Sequence, residues 1–141
     1  MKTTIVQVIS AAFILLWIYT AGSKLTSFQS YKQEMSLQVF SPGVAGVLLY
    51  AIPLLEILAA TLLLIKKTNK LGLVLSLLLM LVFTGYIILI ISGYFPKKPC
   101  SCGGLIKAMG WKAHLIFNIF FLSAAILSLF ITLKPEVRDK D

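Results

Sequence analysis

Two cysteines, Cys100 and Cys102, make up the whole thiol complement of the chain, and a single residue separates them. They sit in Pro96-Lys97-Lys98-Pro99-Cys100-Ser101-Cys102-Gly103-Gly104, a stretch whose proline and glycine content reads as a loop. Neighbouring thiols form a disulfide, exchange it with another protein, or bind a soft metal. Lys97 and Lys98 favour the thiolate, the reactive form. Gly103 and Gly104 supply the backbone freedom that a tight Cys-x-Cys ring needs. So short a ring is strained, and strained disulfides are the exchanging kind. A purely structural bridge gains little here, because closing a one-residue loop removes little entropy from the unfolded chain. Two thiolates alone suit Cu(I) or another soft ion, whereas zinc normally takes four ligands. His114, the only histidine, lies twelve residues beyond Cys102. It fits a third metal ligand, a proton acceptor for a thiol, or an ordinary interfacial histidine. On the residues alone, exchange, metal capture and a structural role all stay open.

Glu56 is the second chemically suggestive residue. It is the one acid inside a long apolar run, and an ionisable group there marks a functional position with a partner on a facing helix. The bland reading makes it a hydrogen-bonded packing residue facing Gln7, Asn118 or a serine. Pro53, one turn earlier, frees a backbone carbonyl and bends the helix. Glu56 lies about 18 Å along the helix from Val44, which keeps it from an exposed cysteine loop unless that loop dips inward.

The elements that must position these residues follow from composition. Of 141 residues, 59% are apolar and 13% charged, against about 45–50% and about 25% in soluble domains. Mean hydropathy is +0.96. A soluble domain of this size could not hide so much apolar surface, and disorder requires the opposite bias. The chain therefore reads as an all-α integral membrane protein, a four-transmembrane-helix bundle forming one membrane domain over residues 1–141. The spans fall at about 5–22, 44–65, 71–92 and 114–133, each a continuous apolar run rather than the alternation of a barrel. Trp17 and Tyr19, near the end of the first run, suit an interfacial belt, and the run exceeds a signal-peptide core, so it reads as uncleaved. Ser41-Pro42 starts the second span and Gly93 ends the third. Between spans 1 and 2, residues 25–40 space Leu25, Phe28, Tyr31, Met35 and Val39 as one apolar stripe. Lys32, Gln33 and Glu34 fall on the other face, so this segment predicts an amphipathic helix lying at the membrane surface or packing over the bundle. The connection 93–112 carries the cysteines. No internal repeat is visible.

Thirteen Lys and Arg against five acids give a net charge of +8. The basic residues flank the apolar runs rather than gathering on one face, which sets membrane topology and argues against a nucleic-acid partner. With four spans, Lys2, Lys66, Lys67, Lys70, Lys134, Arg138 and Lys140 share one side, seven against six on the other. The compact Lys66–Lys70 turn tips the balance toward cytoplasmic termini and an extracytoplasmic cysteine loop, where disulfides persist.

Taken in order, Ala21-Gly22-Ser23-Lys24-Leu25 leading to Pro42, Pro53-Leu54-Leu55-Glu56, and Cys100-Ser101-Cys102-Gly103-Gly104 followed by Trp111, His114 and Asn118 resemble the DoxX-like membrane proteins, specifically the methylamine-utilisation MauE family. The resemblance implies a multi-pass protein of the bacterial cytoplasmic membrane tied to thiol–disulfide chemistry. MauE is associated with maturation of a disulfide-rich periplasmic subunit of methylamine dehydrogenase. Carried over residue by residue, Cys100 and Cys102 become the redox pair, and Lys24 and Glu56 the family's polar positions. Enzymes resembling DsbB or vitamin K epoxide reductase use a second cysteine pair and a quinone. This chain has no second pair, so any quinone would meet Cys100 and Cys102 directly, and no cofactor is evident. The expected partners are the lipid bilayer and an extracytoplasmic thioredoxin-like or disulfide-containing protein.

Overall fold

Four long apolar helices and one short amphipathic helix account for nearly all of the described chain in the computed structural model, which describes residues 2–96 and 109–134. They are α1 (Lys2–Thr26), α2 (Phe28–Ser36), α3 (Pro42–Leu64), α4 (Asn69–Ile91) and α5 (Trp111–Leu133). Among the described residues there is no strand. α1, α3, α4 and α5 are each long and apolar enough to cross a membrane. The chain is thus a multi-pass membrane protein.

The local sequence explains where the elements stop. α3 opens at Ser41 with Pro42 in its first turn, where a missing N–H costs nothing. α4 closes on Gly93, whose φ of +77° is open to glycine at little cost. There the Gly93 N–H donates to the Ile90 carbonyl and the Tyr94 N–H to the Leu89 carbonyl, satisfying two otherwise open helix-end acceptors. α1 continues past the apolar run to Thr26, so Lys24 rides on its last turn.

The four spans close a ring in the order α1, α3, α4, α5, with the most extensive contacts between α1 and α3 and between α4 and α5. Ser10 meets Asn69 and Trp17 meets Ser76, both at an offset of 59 residues, so α1 and α4 run parallel. Small residues, Ala21 on α1 with Ala59 and Ala60 on α3, are buried in the ring and let helices approach closely. α3 and α4 pack tightest at Gly72, where a Cβ would lie 2.8 Å from the Leu63 backbone nitrogen. The core is built on Phe13, Trp17, Leu63, Leu73, Met80 and Leu129. Large apolar residues such as Leu15, Val47, Leu54, Val82 and Phe120 point outward, as lipid-facing positions must.

Two residues lie elsewhere than their sequence suggested. Trp17 is 1% exposed and sits in the core rather than in an interfacial belt. Its indole N–H donates to Ser76 Oγ at 2.9 Å, which satisfies the one polar atom that would otherwise pull it to the interface. Glu34, expected on the solvated face of α2, is buried with Tyr31 and Met35. α2 lies over the ends of α1 and α3, and its next turn places Gln38 against Tyr86 of α4, whose hydroxyl donates to Gln38 Oε1 at 2.6 Å. The Gln38 amide donates in turn to the Glu34 carbonyl, so this face is drawn in by polar partners.

Candidate functional site: a buried ion pair inside the bundle

Lys24 and Glu56 meet inside the membrane-spanning part of the protein. Lys24 Nζ donates to Glu56 Oε1 at 2.8 Å, with the Glu56 side chain 1% exposed and the Lys24 side chain 17% exposed. The register of the helices explains how. α3 and α4 cross at Leu63 and Gly72 and run antiparallel, so Glu56 and Leu79, each seven residues from that crossing, are level with one another. The offset of 59 sets Thr20 of α1 at the same level. Leu79 is about 15 Å from the Asn69 end of α4, close to the middle of a helix about 34 Å long. Lys24 stands one turn beyond Thr20 and turns its side chain inward to reach the carboxylate.

The rest of the cluster comes from α1 and α5. Thr20 lies near the Glu56 carboxylate, its hydroxyl donating to the Trp17 carbonyl at 3.3 Å and its carbonyl accepting a second, longer bond from Lys24 Nζ at 3.4 Å. His114 occupies the first turn of α5, near enough for the Lys24 ammonium to act on its imidazole electrostatically. Asn118 is four residues on, on the same face of α5, and is 2% exposed. Charge-assisted contacts of this kind are strong, and in a low-dielectric interior neither ion can lose its partner cheaply.

The structure therefore joins two sequence candidates, Lys24 and Glu56, and places a third, His114, beside them. The partner of Glu56 is Lys24 rather than Gln7, Asn118 or a serine. Cys100 and Cys102 lie outside the described residues. The flanks of their connection are described: Ile90 and Ile91 at the end of α4 line one cleft with Gly110, Trp111 and Lys112 at the start of α5. The connection thus leaves and rejoins the bundle at the end nearest Lys24 and His114. Thr20 and Thr84 were not singled out from sequence. Thr20 was legible as the residue one turn before Lys24, but Thr84 had no local signal.

The fold and the site together define a four-span helical membrane protein with an ion pair buried at mid-bundle. The family model for the methylamine utilisation protein MauE matches residues 2–131, and the chain belongs to that family. No curated protein and no solved structure matches it.

Proposed function

We propose that the chain serves as an accessory protein of methylamine utilisation, exchanging disulfides through Cys100 and Cys102 with an extracytoplasmic partner in the cytoplasmic membrane of a bacterium. The observation that carries this reading is the one pair of vicinal thiols in the sequence. The described flanks of their connection, Ile90 and Ile91 with Gly110 to Lys112, meet at the end of the bundle nearest Lys24 and His114. Family membership supports the accessory role.

One thiolate of the pair attacks a partner disulfide, a new S–S bond forms, and the partner's second sulfur leaves as thiolate. The neighbouring cysteine then attacks the mixed disulfide, leaving a Cys100–Cys102 disulfide and a reduced partner. Two electrons have moved to the partner, and the two thiol protons follow them. The reverse sequence oxidises the partner, and the relative potentials set the direction. His114 is a proton acceptor for the loop in this scheme.

Cys100→Ser and Cys102→Ser variants test it in the native membrane. A partner retained on one of them, visible on a non-reducing gel and released by reductant, is the expected result. If neither variant traps a partner and both support the function of the parent, the exchange reading fails. Copper that copurifies with the parent and is lost from both variants would instead establish soft-metal capture.

A further inference from the structure

Buried polar groups in this bundle include a paired set and an open set, and most of the open atoms lie from Glu56 toward the end where α4 meets α5. Toward the Asn69 end, partners close on one another. Trp17 Nε1 donates to Ser76 Oγ, and Asn69 Nδ2 donates to Ser10 Oγ at 3.2 Å and to the Leu63 carbonyl at 2.9 Å. From Glu56 toward the opposite end the Tyr86–Gln38 bond is closed, but a further group of atoms stays open. Among the described residues Glu56 Oε2, Thr84 Oγ1, Asn118 Nδ2 and His114 Nδ1 are all buried without a hydrogen-bond partner.

These four atoms form a series. The cleft that brings Ile90 beside Trp111 sets the antiparallel register of α4 and α5. That register puts Asn118 near the level of Thr84, which is five residues or about 7.5 Å along α4 from Leu79, the residue level with Glu56, with His114 one turn further. A helical turn is 5.4 Å, close to two hydrogen bonds of about 2.8 Å laid end to end. Water held between these groups needs two to four polar partners, which the open atoms can supply. The open state of Thr84 can be compared with other helical hydroxyls. Thr61, Ser123 and Thr132 each donate back to the carbonyl four residues earlier, as helical hydroxyls do in an apolar setting. Thr84 does not, although it is buried. Among the described residues Ser128 on the closed side is likewise buried without a partner, and paired groups lie on both sides of it.

We propose that this half of the bundle is a hydrated inlet that delivers protons to Glu56. It opens toward the end of the bundle where Ile90 meets Trp111, and its inner end is sealed by the Trp17–Ser76 and Ser10–Asn69 bonds. A proton arriving through the inlet adds to Glu56 Oε2. The ion pair becomes an ammonium donating to a neutral carboxylic acid, and Lys24 keeps the Thr20 carbonyl as its second acceptor. The groups that bear on this proton are Lys24 from α1 and His114 from α5. α4 contributes the uncharged Thr84, and α2 carries the buried Glu34 at the same end of the bundle. The inference is independent of the thiol chemistry, since it uses neither cysteine.

Infrared difference spectroscopy on the full chain in lipid vesicles tests it. A pH step should raise a protonated-carboxyl band that shifts in heavy water within the dead time of the exchange and is missing from Glu56→Gln. Thr84→Val should slow that isotope shift at least tenfold while leaving the band in place. A band absent from the parent, or one that exchanges no faster than the backbone amides of α4, overturns the proposal. So does an unaltered isotope shift in Thr84→Val.

Discussion

The two halves of the bundle use similar residues to opposite ends. On the Asn69 side, Ser10, Ser76, Trp17 and Asn69 are polar groups used as packing devices, each satisfied by another. On the other side Thr84, Asn118, His114 and one oxygen of Glu56 are buried and open. An unsatisfied buried polar group costs about 1–3 kcal/mol, so the second arrangement is not one that packing alone would select. The lesson is that polarity within a membrane span does not reveal its role. Whether the group finds a protein partner does.

Breaking the ion pair should produce the largest effect. Lys24→Ala leaves a buried carboxylate uncompensated, and removing one partner of such a pair costs about 3–5 kcal/mol. Chemical unfolding in detergent should show that loss, whereas Lys24→Met combined with Glu56→Met should recover most of it. If the double variant is as unstable as the single one, the pair is not the coupled unit described here.

Tight packing on the closed side comes next. Gly72→Ala drives a methyl group into the Leu63 backbone and should cost up to about 3 kcal/mol, since overpacking strains both helices. Ser76→Ala removes the acceptor of the Trp17 N–H and should destabilise by about 1–2 kcal/mol. The smallest effect is expected across the divide. Thr84→Val exchanges a hydroxyl without a protein partner for a methyl group of the same shape and should be close to neutral. Equal losses from Ser76→Ala and Thr84→Val in one unfolding assay would erase the contrast between the halves.

Much of this architecture was legible in the sequence, for definite reasons. Continuous apolar runs specify spans because every backbone polar group in lipid must be satisfied within its own helix. Ser41-Pro42 and Gly93 mark helix ends through local backbone chemistry that needs no neighbour. Lys24 and Glu56 were both recognisable, but their pairing was not, because it depends on the register between α1 and α3. Lys24 stands a turn further along the bundle and reaches back along its own side chain. Trp17 lies deeper than the end of the apolar run at Gly22 suggests, because α1 continues to Thr26. Glu34 misled because helical spacing assigns it to the polar face, while the Gln38–Tyr86 bond turns that face inward. Local pattern carries the elements, and pairwise register carries the site.

The most direct test of the contrast is water access measured position by position. In a chain carrying Cys100→Ser and Cys102→Ser, single cysteines at Thr84 and Asn118 report one half, and single cysteines at Ser10 and Ser76 report the other. A small, charged thiol reagent applied to the protein in vesicles should label the first two at least tenfold faster than the second two. Equal rates at all four positions, or protection of Thr84→Cys and Asn118→Cys alone, would contradict an interior open to water on one side of Glu56 and sealed on the other.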